Sequence, residues 1–374
     1  MTAYLVSDPA LNQVQVHKMA QPEPPYFFEG AEKLLEIWFA RPMNASGKCS
    51  LRNIPYDELV QMLEVCRCHI LHHTTNGVID SYVLSESSMF ITDDRVILKT
   101  CGTTRLLMAI ECVRDLAKKY AGMDTIANVF YSRKNFVRPE LQPALHRSFD
   151  SEVAFLDEFF DDGSAYCMGS LKEDRWYLYC SDGENTSRGR ADHTLEVLMT
   201  DIPSEVLQVY SKAECKDGKE CTMRSGINKI LPIGTEVHSE LFDPVGYSMN
   251  GLIPDSDEYV TIHVTPEKEF CYVSFETNQR RGCLHKQTMK VLDCFKPNKF
   301  LLTLFANEES SNGKDSQWKI WNQEIPGYKR TNLQFLRLQH DSLVYAQFTR
   351  RNTTTKRRRM IDDDEDSEDS NGCD

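Results

Sequence analysis

The sequence has no apolar run long enough to cross a membrane and no basic-then-apolar segment at its N-terminus. These absences predict a cytoplasmic protein without a membrane partner. A positive charge excess is also missing, because 43 basic and 56 acidic side chains give a net charge of −13. Nucleic-acid-binding proteins need a basic face, so this balance argues against a nucleic-acid partner and suits a cationic small molecule.

The sequence also lacks the signatures of several enzyme classes. It has no dinucleotide-binding or phosphate-binding glycine loop and no Gly-x-Ser-x-Gly motif, which argues against those classes. Two cysteines and three histidines between Cys66 and His73 suggest a metal cluster, but the spacing is Cys-x-Cys within a helical pattern. We therefore expect no metal. The 13 cysteines are scattered and odd in number, which predicts reduced thiols.

The composition that is present is globular, with 41% hydrophobic and 26% charged residues. Residues 1–25 have clustered prolines and little periodicity, so they predict a flexible lead-in. Residues 351–374 are charged and almost free of apolar side chains, which predicts a disordered tail. The length of the remaining body, residues 26–350, suits one large domain or two ordinary ones.

The spacing of apolar residues predicts both helices and strands in residues 26–350. Helical spacing occurs at 29–41, 55–70, 104–120, 152–160, 194–210 and 286–295. β-Branched and aromatic residues predict strands at 82–92, 96–101, 129–132, 166–168, 176–180, 259–265, 270–276 and 300–306. The order strand, strand, helix, strand at 81–132 recurs at 259–307. Short turns between neighbouring strands imply antiparallel sheets that are covered by helices.

One polar segment is unusual because of its neighbours. Ser85-Glu86-Ser87-Ser88 has the composition of a loop, yet Tyr82-Val-Leu precedes it and Met89-Phe-Ile follows it. Small polar residues are therefore embedded between two apolar runs that favour β-structure. The pattern alone does not assign a function to this segment.

Several other residues have ordinary interpretations when each is considered alone. Cys101 is typical of a buried thiol, Ser248 of a turn serine and His263 of a strand histidine. The predicted helix at 29–41 would carry a solvated acidic stripe near its start, where carboxylates are favourable. That stripe consists of Glu29, Glu32 and Glu36.

Six separated blocks, taken together, indicate a family. They are Phe27-Phe-Glu-Gly-Ala-Glu-Lys-Leu-Leu-Glu36, Tyr82-Val-Leu-Ser-Glu-Ser-Ser-Met-Phe90, Leu98-Lys-Thr-Cys-Gly-Thr-Thr104, Tyr131-Ser-Arg-Lys-Asn-Phe136, Gly246-Tyr-Ser-Met-Asn-Gly251 and Phe275-Glu-Thr-Asn278. In this order they resemble the eukaryotic, animal-like S-adenosylmethionine decarboxylase proenzymes, which depend on a pyruvoyl group. The likeness runs from about residue 27 to about residue 330. It implies that residues 26–350 form a single domain with an α+β fold, a four-layer αββα sandwich of two antiparallel sheets with two similar halves.

The resemblance implies a proenzyme that cuts its own chain. The Ser87 hydroxyl would attack the Glu86 carbonyl, and Ser248 and His263 match the residues that assist this processing. Cleavage would leave a small subunit of residues 1–86 and a large subunit of residues 87–374. The large subunit would begin with a covalent pyruvoyl cofactor derived from Ser87.

The implied reaction converts S-adenosylmethionine to decarboxylated S-adenosylmethionine and CO2, for spermidine and spermine synthesis. The pyruvoyl carbonyl would form a Schiff base with the substrate amine, so no pyridoxal phosphate is expected. Cys101 matches the proton donor, and Glu29 and Glu32 match carboxylates near the reacting centre. The residues that match substrate-binding positions are Phe28, Glu86, Phe242 and Glu267.

The resemblance also implies a putrescine site and a dimer of processed protomers. The acidic or polar positions of the putrescine site are matched by Glu36, Asp192, Thr194, Glu196 and Glu276. Its surroundings are matched by Lys99, Phe130, Arg133 and Phe305. A tyrosine of the family site aligns with Asp341 in this chain, which is a departure from the family pattern.

Two alternative functions would require different residues. A non-catalytic regulatory homologue of the decarboxylase is the main alternative, and it would be expected to lose the cleavage serine or the proton donor. Both Ser87 and Cys101 are present, together with Ser248 and His263, which favours the enzyme. A pyridoxal-phosphate decarboxylase is a more distant alternative, since no lysine motif of that class is recognisable.

Overall fold

The computed structural model describes residues 28–42, 49–182, 189–267 and 270–351. The predicted lead-in, and the predicted tail from residue 352, lie outside these ranges. Within them the chain forms two eight-stranded antiparallel sheets. The strands of the first sheet are β1 (Lys33–Phe39), β2 (Ile70–Thr75), β3 (Asp80–Leu84), β4 (Ser87–Ile91), β5 (Arg95–Thr100), β6 (Ile126–Lys134), β7 (Ser164–Gly169) and β8 (Arg175–Asp182). Those of the second are β9 (His193–Thr200), β10 (Glu236–Leu241), β11 (Tyr247–Leu252), β12 (Tyr259–Pro266), β13 (Cys271–Thr277), β14 (Lys299–Asn307), β15 (Tyr328–Arg337) and β16 (Asp341–Arg350).

The two sheets have the same topology. The first has the order β2-β3-β4-β5-β1-β6-β8-β7, and the second has the order β10-β11-β12-β13-β9-β14-β16-β15. Each strand therefore has a counterpart at the same place in the other sheet, and the chain visits these places in the same sequence. The predicted internal repeat is confirmed, and it extends over both halves.

Helices cover the outer face of each sheet. They are α1 (Tyr56–Cys66), α2 (Ala109–Leu116), α3 (Phe149–Leu156), α4 (Ser204–Leu207), α5 (Gly218–Arg224), α6 (Leu284–Phe295) and α7 (Ser311–Asn322). One hydrophobic core lies between the first sheet and its helices, and another lies between the second sheet and its helices. Further apolar clusters join the inner faces, where the Phe90 and Tyr259 rings stack at 4.3 Å. The predicted αββα sandwich is confirmed.

Two of the predicted helices are wrong. Residues 29–41 contain strand β1, and the start of the 194–210 segment is strand β9. Both strands lie in the middle of their sheets, with helices on one face and the opposite sheet on the other. Both faces are therefore buried, and the inner faces carry the charged side chains of Glu36 and Glu196 among apolar ones. The buried apolar residues on the two faces of β1 consequently have the spacing of a helical face.

The predicted strand at 82–92 is a hairpin. Strands β3 and β4 pair antiparallel, and the two residues between them, Ser85 and Glu86, form a turn. The small polar residues therefore mark the turn, and the flanking apolar runs are its two strands. This correction places the Glu86–Ser87 bond at the entrance to β4.

The remaining helices differ from the predictions mainly at their ends. The helix predicted at 55–70 ends at Cys66, and Ile70, the last residue of the predicted segment, begins β2. The predicted helix at 104–120 consists of a 3-10 turn, α2 and a π-helical turn, which ends at Ala121 before Gly122. No helix in the described part of the chain is long and apolar enough to span a membrane.

Candidate active site

The Glu86–Ser87 peptide bond lies where the β3–β4 turn enters β4. Ser87 has a φ of 133°, a backbone conformation that is costly for a residue with a side chain. The Glu86 carbonyl oxygen accepts a hydrogen bond from the Cys101 backbone N–H at 2.9 Å. The bond therefore combines backbone strain with a polarised carbonyl, and both features favour attack by a nearby nucleophile.

The Ser87 hydroxyl beside this bond is buried and donates a hydrogen bond to Glu32 Oε1. Burial opposes ionisation of Glu32, but the Lys99 ammonium and the hydrogen bond from Ser87 outweigh it and hold the pKa of the Glu32 carboxyl below its ordinary value. Lys99 Nζ is 3.6 Å from Glu32 Oε2. The ionised carboxylate can therefore accept a hydrogen from the Ser87 hydroxyl.

Ser248 and His263 lie opposite each other because β11 pairs with β12. The Ser248 hydroxyl is 2.8 Å from His263 Nδ1, and His263 Nε2 is 3.8 Å from Glu32 Oε1. Burial lowers the pKa of His263 to about 4, although the Glu32 carboxylate opposes this shift. The imidazole is therefore neutral near pH 7 and can accept a proton.

A cavity of about 590 Å³ opens onto this bond, a size that suits a small-molecule ligand. The sequence-predicted residues that line it are Phe28, Glu86, Ser87, Cys101, Phe242, Ser248, His263 and Glu267. The structure thus brings together side chains from both halves of the chain. A larger cavity of about 770 Å³ lies beside His72 and His238, and none of the predicted site residues lines it.

Cys101 follows β5 and is half-buried at this cavity. Burial raises the pKa of its thiol well above the ordinary value, and the Glu86 and Glu32 carboxyls add to the shift. The thiol therefore keeps its hydrogen at neutral pH, as a proton donor must. The next residue, Gly102, has a φ of 60°, and a Cβ at this position would lie 2.8 Å from the Phe28 ring. Glycine therefore permits both the turn and the contact with Phe28.

The carboxyls of Glu29 and Glu86 lie in different surroundings. Glu29 accepts hydrogen bonds from the backbone N–H groups of Val137 at 2.5 Å and Arg138 at 3.1 Å. Burial raises the pKa of Glu29 despite these bonds, and the residue is not among those that line the cavity. Glu86 does line it, and burial raises the pKa of Glu86 to about 7. A cationic ligand near Glu86 would therefore favour its ionised form.

A second group of charged side chains lies between the sheets. The Lys99 ammonium is fully buried, at 2.7 Å from Glu276 Oε2 and 3.2 Å from Glu196 Oε1. Burial raises the pKa of Glu196 to about 7, Lys99 opposes the shift and the Glu276 charge adds to it. Because Lys99 also contacts Glu32, it connects these carboxylates to the group that binds the Ser87 hydroxyl.

Glu36 and Asp192 share a second buried cation, Arg95, which the sequence reasoning missed. Its guanidinium lies 3.4 Å from Glu36 and 3.5 Å from Asp192, and it stacks over the Trp38 ring at 4.5 Å. A signal was present in the sequence. Residues four apart on a strand share a face, so Arg95 must point to the same side as Lys99.

The structure brings most of the other predicted putrescine-site residues into the same inter-sheet layer. The rings of Phe130 and Phe305 meet at 5.8 Å, and Thr194 lies opposite Phe305 in the β9–β14 ladder. Arg133 is not brought to this layer, because its side chain pairs with the buried Glu152 at 2.8 Å. Phe130 and Arg133 are three residues apart on one strand and therefore face opposite sides of the sheet.

The segment from Cys66 to His73 does not converge on one point. Its two cysteines are buried in the core beneath the helices of the first sheet. His72 pairs with Glu240 at 2.9 Å, and His73 stacks on Tyr82 at 4.5 Å. Among the described residues, no group of three or more potential ligands could hold a metal ion.

Comparisons with known proteins agree with this fold and site. The profile of a family described as Adenosylmethionine decarboxylase matches residues 25–349. The S-adenosylmethionine decarboxylase proenzyme of Caenorhabditis elegans is 57% identical over 340 residues, which covers 90% of this chain and 92% of the relative. The proenzyme of Onchocerca volvulus is 58% identical over 325 residues, covering 87% and 88%. A crystal structure of the Trypanosoma brucei AdoMetDC-delta26 monomer superposes with a TM-score of 0.55 at 22% identity, covering 71% of this chain and 99% of that one, and supports the fold.

Two antiparallel sheets of the same topology face each other, and the strained Glu86–Ser87 bond lies between them beside a carboxylate and an imidazole. The match to the family profile covers most of the sequence, and the chain belongs to the adenosylmethionine decarboxylase family. The family, the fold and the decarboxylase class predicted from the sequence are confirmed.

Proposed function

We propose that this chain is a self-processing, pyruvoyl-dependent decarboxylase that converts S-adenosylmethionine to decarboxylated S-adenosylmethionine and CO2. It acts in the cytoplasm and supplies the aminopropyl donor for spermidine and spermine. The observation that carries the proposal is the geometry at Glu86–Ser87. There, the buried hydroxyl of Ser87, whose backbone is strained, contacts the Glu32 carboxylate. The adjacent Glu86 carbonyl accepts a hydrogen bond from the Cys101 N–H.

Processing begins with attack of the Ser87 hydroxyl on the Glu86 carbonyl carbon. The hydroxyl hydrogen passes by way of Glu32 to the Ser87 nitrogen, a C–O bond forms and the C–N bond breaks, which leaves an ester and a free amine. The Cys101 N–H stabilises the oxyanion that forms during this exchange. His263 then accepts the α-hydrogen of Ser87, the Cβ–Oγ bond breaks and Glu86 leaves as a carboxylate. Water hydrolyses the resulting dehydroalanine to the pyruvoyl carbonyl and ammonia.

The pyruvoyl group supplies a carbonyl that takes up the electrons released when CO2 leaves the substrate. The side chains around its position fit this role. Cys101 remains protonated at the same cavity and returns a proton to the α-carbon of the substrate. Phe28 and Phe242 present aromatic faces to the adenine and the sulfonium cation. Glu267 binds the ribose hydroxyls, and Glu86 binds the adenine edge.

Putrescine binds in the acidic layer between the sheets and stimulates the enzyme. The carboxylates there are Glu32, Glu36, Asp192, Glu196 and Glu276, and the described cations that pair with them are Lys99 and Arg95. Buried carboxylates in excess repel one another, and a diamine relieves that repulsion with its two positive charges. The rings of Phe130 and Phe305 are suited to its methylene chain. The effect of diamine binding reaches Ser87 through Lys99, which contacts Glu32, and through Glu32, which contacts the Ser87 hydroxyl.

Putrescine binding should weaken as the pH falls from 8 to 6. Glu196 has a pKa of about 7, so it takes up a proton over this range, whereas the diamine keeps both charges. A site that needs the ionised carboxylate should therefore lose about tenfold in affinity. Titration calorimetry of the purified enzyme at several pH values measures this. Glu196→Gln should bind putrescine weakly, with a flat pH profile.

Glu309→Gln is the matched control, because Glu309 is exposed on the surface. It should keep the affinity and the pH profile of the unaltered enzyme. Equal putrescine responses in Glu196→Gln and the unaltered enzyme would count against the effector site. They would leave the decarboxylase proposal intact.

Intact-mass measurement of the purified protein tests the proposed function directly. We expect two chains that meet at Glu86/Ser87, with the N-terminus of the larger one blocked to Edman degradation. Release of labelled CO2 from carboxyl-labelled S-adenosylmethionine should accompany them. A single uncut chain that still releases CO2 would overturn the proposal, and an uncut chain without activity would favour the non-catalytic homologue. Native mass spectrometry of the same sample tests the proposed dimer of processed protomers.

A further inference from the structure

A buried polar network joins β4 of the first sheet to β11 and β12 of the second. Its centre is Asn250, whose side-chain amide contacts Ser88 and Thr261 on one side and the β3 backbone on the other. Ser88 and Thr261 both reach His263. All four side chains are buried, so their hydrogen bonds must be satisfied within the network.

The orientation of the Asn250 amide follows from its backbone partner. One end of the amide lies 3.0 Å from the Tyr82 carbonyl oxygen and 3.0 Å from Ser81 Oγ. A carbonyl oxygen can only accept, so this end is the NH2 group. The other end is then Oδ1, a pure acceptor, at 2.7 Å from Ser88 Oγ and 2.9 Å from Thr261 Oγ1.

Counting hydrogens then determines which nitrogen of His263 is protonated. Each hydroxyl has one hydrogen, and Ser88 donates its hydrogen to Asn250 Oδ1. Thr261 donates either to the same oxygen or to the Met249 carbonyl at 3.1 Å, which can also only accept. Both hydroxyls therefore present lone pairs to His263 Nε2, at 3.0 Å from Ser88 and 2.8 Å from Thr261. Nε2 must carry the hydrogen.

We propose that Asn250 is a positioning residue that holds His263 in the Nε2–H tautomer, which leaves Nδ1 as the nitrogen that accepts the proton during self-cleavage. Nδ1 accepts a hydrogen bond from the Ser248 hydroxyl at 2.8 Å, so Ser248 faces the basic nitrogen. The Glu32 carboxylate, 3.8 Å from Nε2, favours the same tautomer. The inference rests on the proposed function only in giving Nδ1 this task. The tautomer itself follows from the hydrogen-bond network.

The tautomer can be measured without any change at Asn250. The full-length Ser87→Ala chain, labelled with 15N-histidine, should show a directly bonded hydrogen on Nε2 of His263 and none on Nδ1 at pH 7. Comparison with the same chain carrying His263→Ala assigns the resonance. A directly bonded hydrogen on Nδ1 of His263 in the Ser87→Ala chain would overturn the proposal. This readout does not need self-cleavage, so it stands apart from the outcome for the proposed function.

Substitution of Asn250 tests its part in the arrangement. Asn250→Ala frees the Ser88 hydrogen to bond Nε2, so the ring hydrogen should move to Nδ1. Self-cleavage of the chain with Ser87 intact should then slow on the order of 100-fold in cell-free synthesis. The double variant Asn250→Ala/Ser88→Ala removes the freed donor. It should restore the Nε2–H signal and recover most of the cleavage rate.

The double variant separates positioning from simple stability. A purely structural Asn250 predicts that removing Ser88 as well makes cleavage slower still. That result, or an Nε2–H signal that persists in the single variant, would show that Asn250 does not set the tautomer.

Discussion

Ser87→Ala should yield a single uncut chain of about 43.1 kDa with no measurable decarboxylation. The substitution removes the hydroxyl that contacts Glu32 Oε1 and would attack the Glu86 carbonyl. Without that attack no ester forms and no carbonyl is generated to take up electrons, so the activity loss should exceed about 10⁴-fold. Intact mass and CO2 release from the same preparation check both parts.

Ser87→Cys is the matched control for this result. A thiol of similar size retains a nucleophile at the same place, so this variant should still cut the chain, more slowly than serine does. Hydroxylamine attacks esters and thioesters, so it should speed cleavage of the unaltered chain and of the Ser87→Cys variant. It should leave the Ser87→Ala variant uncut. An alanine variant that cuts at Glu86/Ser87 would mean that some other group attacks this bond.

Lys99→Met should destabilise the protein by about 3–5 kcal/mol at pH 8, because it strands buried carboxylates without their cation. The carboxylates that Lys99 contacts are Glu32, Glu196 and Glu276. Without the Lys99 charge, which lowers the pKa values of Glu32 and Glu196, these values should rise above those of the unfolded chain. Protonation then relieves the repulsion as the pH falls, so the loss should shrink between pH 8 and pH 5.5. Urea unfolding at both pH values measures this dependence.

The double variant Lys99→Met/Glu276→Gln provides the control. Glu276 is the carboxylate closest to Lys99, at 2.7 Å, and making it neutral removes one of the stranded charges. The double variant should therefore be more stable than Lys99→Met at pH 8. If the unfolding midpoint of Lys99→Met equals that of the unaltered chain, Lys99 does not stabilise the charged layer between the sheets.

The strands that the sequence predicted well have clear local patterns. The predictions at 259–265, 270–276 and 300–306 each fall within a residue or two of β12, β13 and β14, because β-branched and aromatic residues dominate them. The sequence predicts helices at β1 and β9 because both strands are buried on two faces and have no solvent-exposed polar face. The turn at Ser85 and Glu86 was hidden because short polar residues can continue a strand or close a hairpin.

The candidate site depended on the family resemblance rather than on pattern. Ser248 and His263 are 15 residues apart in sequence, and only the pairing of β11 with β12 places them side by side. Arg133 shows the limit of carrying residues over by position, because its side chain points to the opposite face from Phe130. Arg95 shows the reverse, since strand periodicity alone could have placed it beside Lys99. The assignments of individual site residues remain predictions for the experiments above.

The place of β1 in its sheet determines what becomes of the two pieces once the chain is cut. β1 belongs to the piece that ends at Glu86, yet it is hydrogen-bonded between β5 and β6, which belong to the other piece. Strands of the two pieces are thus interleaved within one sheet. Their separation would require opening the middle of a sheet that is buried on both faces. Subunits cut from one proenzyme should therefore stay together for the life of the folded molecule, and exchange between molecules should require unfolding.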